Sequence, residues 1–235
     1  MSDYLKLYKN ETDYNAESVK APVSHIIENV NVIFNKPCDP YEAVDLGLPS
    51  GTKWANKNIG ACEPMDNGLY FAWGEVEGYE KGDTSITDDW AHYRWYNTTT
   101  SALTKYAKAV DNKYELDLSD DAAYVNMGSN WKMPTYKQCQ ELISNTTSIG
   151  IENYNGTGKK VILVTSKNNG KTIIFPGNGS RTGASTTAWT WYNTSALKWS
   201  ASYETSAMVI AAVNSLSDDA MMSRCFRMGV RGVTK

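Results

Sequence analysis

Few side chains in this sequence can do covalent chemistry. The chain of 235 residues holds two histidines, His25 and His92, and four cysteines, Cys38, Cys62, Cys139 and Cys225. A Ser-His-Asp or Cys-His arrangement would have to recruit one of those two imidazoles, and neither a GxSxG elbow nor an HExxH helix is present. The cysteines form no CxxC pair and neither histidine is near one in sequence, which argues against a structural zinc. Four reduced thiols packed as small apolar groups are therefore expected. Glycoside hydrolysis needs only two carboxylates, and Glu75, Glu77, Asp88 and Asp89 lie in an aromatic-rich stretch. Gly177-Asn178-Gly179-Ser180 lacks the lysine and spacing of a phosphate-binding loop and reads as a turn. No cofactor and no metal is expected.

Composition points to binding instead. Eight Trp and fifteen Tyr stand against four Phe. Aromatics with a polar handle suit positions half buried and half wet, as binding surfaces are. The formal charge is −3, without the basic excess of a nucleic-acid binder. No apolar run approaches a membrane span, so no membrane insertion is expected. Met1 to Lys9 has no signal-peptide core, which implies synthesis and folding in a cytosol.

The elements that must position these residues fall into two parts. Residues 1–42 read as a small β-rich segment, with strands at 4–8 and 30–34 and a third at 23–27. So short a segment needs partners, and attachment or multimerisation is its expected role. In residues 43–235, Val44 to Ala55 reads as strand, tight turn and strand. Residues 76–118 are polar and aromatic without a period, a loop with short elements, and such a stretch is functional or an insertion.

Two helices follow. Asp120 and Asp121 cap the first, with Gly128 at its end. The second begins at Pro134-Thr135, where Thr135 and Gln138 form a capping box and Tyr136, Cys139, Leu142 and Ile143 share a face. Residues 160–166 and 171–175 flank Asn169-Gly170 as a hairpin central to the fold. The tail reads as strands at 198–202, 208–213 and 226–233, separated by polar loops.

The order of motifs is similar to a known family. Val44-Asp45-Leu46-Gly47-Leu48-Pro49-Ser50-Gly51-Thr52-Lys53-Trp54-Ala55, Tyr70-Phe71-Ala72-Trp73-Gly74-Glu75 and Ser129-Asn130-Trp131-Lys132-Met133-Pro134-Thr135 carry the likeness. Phe175-Pro176-Gly177-Asn178-Gly179-Ser180-Arg181, Lys198-Trp199-Ser200-Ala201-Ser202 and Gly229-Val230-Arg231-Gly232-Val233 complete it. Together they resemble a domain family of gut bacteria and their phages, related to formylglycine-generating enzymes. The resemblance implies an α+β C-type lectin-like fold with two helices and antiparallel strands, preceded by the β-rich N-terminal segment. It also implies that Trp54, Trp73, Trp131 and Trp199 belong to the core. The formylglycine-generating enzymes need a cysteine pair near the C-terminal end of the domain, whereas Cys225 stands alone there. Calcium-binding lectins of this fold carry Glu-Pro-Asn or Trp-Asn-Asp; here Glu63-Pro64 is followed by Met65 and no Trp-Asn-Asp occurs. The resemblance thus implies a protein that is not an enzyme.

The N-terminal segment resembles the openings of virion proteins from phages of gut bacteria. Some phage receptor-binding proteins diversify a C-type lectin-like face through a reverse-transcriptase system, between a Trp-Ser strand and the closing strand. Here that interval is Tyr203 to Arg224. Within and just before it, Trp191, Tyr192, Tyr203, Glu204, Asn214, Asp218, Asp219, Met221 and Met222 are the candidate ligand-binding residues. Packing roles compete at several of them: Trp191 as core, Asp218 and Asp219 as a turn, Met221 and Met222 as gap fillers. The resemblance implies a virion adhesin in a tail or head fibre, made in the host cytoplasm, that binds a host-surface protein or glycan. Its partners would be other virion proteins, in a homotrimer by analogy with phage adhesins, and not nucleic acid. The alternatives are an enzyme of formylglycine-generating or glycosidase type, a bacterial surface module, and a virion protein without ligand.

Overall fold

The computed structural model describes residues 38–113, 115–181, 189–190, 198–199, 206–212 and 216–235. The chain divides into two units, Met1–Cys38 and Asp39–Lys235. The strands expected at 4–8, 23–27 and 30–34 lie outside the described residues. Among its described residues the second unit is mixed α+β, with two α-helices and several small antiparallel sheets. Its elements are β1 (Ala43–Val44), β2 (Lys53–Ala55), β3 (Tyr70–Ala72), β4 (Tyr96–Asn97), β5 (Ala102–Leu103), α1 (Ala122–Met127) and α2 (Tyr136–Asn145). Then come β6 (Thr146–Ile151), β7 (Val161–Ser166), β8 (Thr172–Pro176), β9 (Ser180–Arg181), β10 (Trp189–Thr190) and β11 (Lys198–Trp199). The last are β12 (Ser206–Ala212), β13 (Leu216–Ser223), β14 (Arg227–Gly229) and β15 (Val233–Thr234).

Beginning and end of the unit meet on β2, which has β1 on one side and β15 on the other. Trp54 thereby sits opposite both Val44 and Val233, fully buried, and packs edge-on against Phe175 with ring centroids 6.0 Å apart. Burying one such side chain is worth about 1.5–3 kcal/mol. The turn before β2 closes with Gly51 N–H donating to Leu48 O at 2.9 Å. Helix α2 then holds it, because the Glu141 carboxylate accepts from Ser50 N (2.7 Å) and Ser50 Oγ (2.6 Å).

Both helices start where the polar groups dictate. The Asp121 carboxylate accepts from Ala123 N at 2.9 Å and Tyr124 N at 3.0 Å, supplying acceptors for the free first-turn N–H groups of α1. It also accepts from Met133 N, tying α1 to the segment that leads into α2. At α2 the Thr135–Gln138 capping box is formed on both sides. Cys139 and Leu142 face the core, with Cys139 a buried thiol.

The expected hairpin is β7–β8, with Gly170 at φ +73° in its turn. β7 is the middle strand of a sheet ordered β6-β7-β8, which accounts for apolar residues on both its faces. β14 lies between β9 and β3 in a sheet ordered β10-β9-β14-β3. Of the tryptophans expected in the core, Trp54, Trp73 and Trp131 are buried, and the side chain of Trp199 lies outside the described residues.

Four expectations need correction. Asp120, expected to cap α1 beside Asp121, instead accepts from Lys105 Nζ at 2.6 Å and from the Tyr106 hydroxyl at 2.5 Å, and Asp121 caps the helix alone. The strand expected at 226–233 is two, β14 and β15, which belong to different sheets. The sequence suggests a polar loop between the strands expected at 208–213 and 226–233, yet Leu216–Ser223 forms β13, paired antiparallel with β12. Pairing with a neighbouring strand outweighs the turn-forming bias of the adjacent aspartates. The irregularity sits at those aspartates: Val209 pairs with Ala220 and Ala211 with Ser217, so Asp218 and Asp219 together oppose Ile210 as a β-bulge. Nor are all four thiols reduced. Cys38 and Cys62 are disulfide-bonded and exposed, whereas Cys139 and Cys225 are reduced and buried. The two exposed residues fill no core space, so the packing argument applies only to the other pair.

Candidate ligand-binding cleft

Trp191, Tyr192, Tyr203, Glu204 and Asn214 lie outside the described residues. Asp218, Asp219 and Met221 are placed on the backbone of β13, the aspartates at the bulge. Met222 is half-buried and packs against the core cluster of Trp73, Tyr106 and Met228. β13 ends at Ser223, in the wall of a cleft.

That cleft has a volume of about 1000 Å³. Trp90, Tyr96, Leu103, Ala107 and Val110 line it together with Ser223. Trp90 opens a single 3-10 turn, Trp90–His92, capped by Asp89, whose carboxylate accepts from His92 N at 3.0 Å and lies 2.7 Å from His92 Nδ1. Its ring centroid is 5.1 Å from that of Tyr96, the planes tilted by 42°, and 5.6 Å from that of Tyr93 in an edge contact. The β4–β5 hairpin sets Tyr96 directly opposite Leu103. Its reversal is held by Asn97 Oδ1, which accepts from Thr99 N (2.9 Å) and Thr100 N (3.1 Å). On the far rim the Asp111 carboxylate accepts from Tyr106 N and Ala107 N, fixing the turn that presents Val110. Val110 is 53% exposed, a large apolar side chain left in water at the mouth.

Buried arginines hold the backbone around the cleft. Arg227, on β14, donates from Nη1 to Asp88 Oδ1 and from Nη2 to Glu75 Oε2, both at 2.8 Å. Glu75 Oε1 accepts from Arg94 N at 2.9 Å. The two carboxylates on Arg227 and that backbone bond therefore pin both ends of the segment 75–94 from which Trp90 projects. Arg181, on β9, pairs through Nε with Asp88 Oδ2 and through Nη2 with Ile86 O. Arg224 lies 4.3 Å over the Trp73 ring and donates to Tyr106 O at 2.8 Å, next to the Ala107 wall. Arg181, Arg224 and Arg227 are each at most 2% exposed. Removing one partner of such a buried pair costs about 3–5 kcal/mol.

The same contacts engage two of the four loop carboxylates that glycoside hydrolysis would draw on. Glu75 and Asp88, two of the loop carboxylates, are committed to arginine, and burial pushes the Asp88 carboxyl up against the pull of Arg227 and Arg181. Asp89 is engaged by His92. Burial raises the Cys225 thiol to about 12, so at neutral pH it is a protonated core thiol and not a nucleophile. Among the described residues no group of three or more His, Cys, Asp or Glu is arranged to hold a metal, and no helix is long and apolar enough to cross a membrane.

Trp90, Tyr96, Leu103 and Val110 were not singled out from the sequence. The signal available was the density of aromatics between Trp90 and Tyr96 inside the long stretch without periodicity. No protein-family model matches the chain, and comparison with curated proteins and with solved structures gave no match.

Proposed function

We propose that this chain is a non-catalytic ligand-binding protein of C-type lectin-like fold, serving as a phage virion adhesin for a host-surface protein or glycan. The observation that carries the reading is the meeting of β13 with the cleft. The strand bearing Asp218, Asp219, Met221 and Met222 runs into the Trp90–Tyr96 wall at Ser223, so candidate interval and aromatic cleft are continuous. Rigid half-buried aromatics beside an exposed apolar rim give contact area at low entropic cost. The arginine frame lets residues at the surface change without loss of the core. The N-terminal segment serves docking to other virion proteins or trimerisation, and weak single contacts multiplied by valency give firm attachment.

The buried Cys225 and the arginine-bound carboxylates speak against the enzyme alternative. The test is attachment of the fluorescently labelled full chain to a panel of gut bacterial cells, beside Trp90→Ala and Tyr96→Ala variants with verified folding. The reading expects saturable binding to a subset of cells that both variants weaken. Binding to none, or binding indifferent to both changes, contradicts it.

A further inference from the structure

Four Asn-Gly pairs occur in the chain, at 67–68, 155–156, 169–170 and 178–179. An asparagine before glycine is chemically labile, because no side chain on the next residue hinders its backbone nitrogen from reaching the asparagine side-chain carbonyl. Whether it reacts depends on freedom of the amide to turn and of that nitrogen to attack. The fold treats the four pairs very differently.

Asn178 is fully buried and walled in, its amide lying 2.3 Å from where a Cβ on Gly229 would stand. Asn169 is held at both ends of its amide: Nδ2 donates to Asp45 O at 2.9 Å and Oδ1 accepts from Lys171 N at 3.0 Å. The Gly170 nitrogen is itself engaged by Ser166 O at 3.2 Å. Asn67 is half-buried, its backbone carbonyl accepts from Asn58 Nδ2, and Gly68 presses against Ile59 O so closely that a Cβ would stand 2.2 Å away. Asn155 differs on every count. It is exposed, and no side-chain hydrogen bond among the described residues holds its amide. Gly156 has open space around it, and its N–H makes only a long 3.4 Å contact to Asn153 O.

We infer that Asn155 is a site of spontaneous deamidation. The Gly156 nitrogen gives up its proton to solvent base and attacks Asn155 Cγ. The N–Cγ bond forms, the Cγ–Nδ2 bond breaks, and ammonia leaves with a solvent proton. Water then opens the resulting succinimide at either carbonyl, leaving aspartate or isoaspartate; nothing is oxidised or reduced. Each event adds one negative charge to a chain of formal charge −3. The isoaspartate form also lengthens the backbone inside the turn that Thr157 N closes onto Tyr154 O at 3.0 Å. The loop between β6 and β7 thus carries a slow, age-dependent change of charge and shape.

The experiment is peptide mapping by mass spectrometry of the full chain after incubation at neutral and at mildly alkaline pH, folded and in urea. In the folded chain the one-dalton gain is expected at position 155 several-fold faster than at 67, 169 or 178, accelerating with pH, and absent from an Asn155→Gln variant. In urea the four rates are expected to converge. A folded chain in which another of the four converts as fast, or in which Asn155 stays intact, overturns the assignment. So does an advantage of Asn155 that persists undiminished in urea.

Discussion

Arg181 and Arg227 stand directly opposite each other on β9 and β14 and share a single buried carboxylate, Asp88. Two like charges in register on neighbouring strands are unfavourable unless a counter-charge lies between them. Asp88 supplies it from the loop that carries Trp90, so the core sheet and the wall of the cleft are fixed by one cluster. Arg227→Met removes one member and leaves Asp88 and Glu75 facing each other with one cation fewer. The expected loss is about 3–5 kcal/mol of unfolding free energy, read from the urea midpoint. A midpoint unchanged from the parent chain contradicts the clamp.

Close packing gives a second expectation. A Cβ on Gly229 would stand 2.3 Å from Asn178 Nδ2, and Asn178 is fully buried with no room to retreat. Gly229→Ala is expected to cost about 1–3 kcal/mol, as overpacking does. Gly82→Ala, with nothing within 4 Å of its Cβ, serves as the control and is expected to leave the thermal midpoint near that of the parent.

Thiol chemistry separates the cysteines. With Cys38 and Cys62 disulfide-bonded and Cys139 and Cys225 buried, the folded chain without reductant is expected to react with no alkylating agent at neutral pH. In denaturant two thiols appear, and after reduction four. Rapid labelling of Cys225 in the folded chain, counted by intact mass, contradicts both its burial and its raised pKa.

A pH dependence follows from Asp117. Bonds from Lys113 at 2.7 Å and Lys105 at 2.9 Å hold its carboxyl down at about 2. A carboxyl depressed in the folded state contributes stability above its unfolded value of 3.8, and that contribution disappears as pH falls toward about 2. Asp117 is 38% exposed, so solvent screening keeps the effect small. Asp117→Asn is expected to lower the thermal midpoint slightly above that window and to match the parent below it. Equal differences at both ends contradict the assignment.

What the sequence made legible was what local chemistry decides. Asp121, Thr135 and Gln138 announced the helix starts, and Asn169-Gly170 between two apolar runs announced the β7–β8 hairpin. β13 was hidden because Leu216–Ser223 carries two adjacent aspartates, and only its register with β12 makes it a strand with a bulge at that pair. Glu75 and Asp88 drew attention as loop carboxylates, but their partners Arg181 and Arg227 are remote in sequence, so their structural role needed the fold. The disulfide-bonded state of Cys38 and Cys62 was illegible for a similar reason: no spacing motif marks it.

Under the proposed function, the aromatic cleft beside β13 would capture its ligand without covalent chemistry. Val110→Glu tests it most directly, since Val110 is exposed at the mouth and its replacement is expected to shift stability by less than about 0.5 kcal/mol. The measurement is the binding isotherm of the full-length variant on a bacterial strain that the parent chain binds. A normal thermal midpoint is expected, with attachment lost or reduced at least several-fold. Attachment equal to that of the parent chain contradicts it.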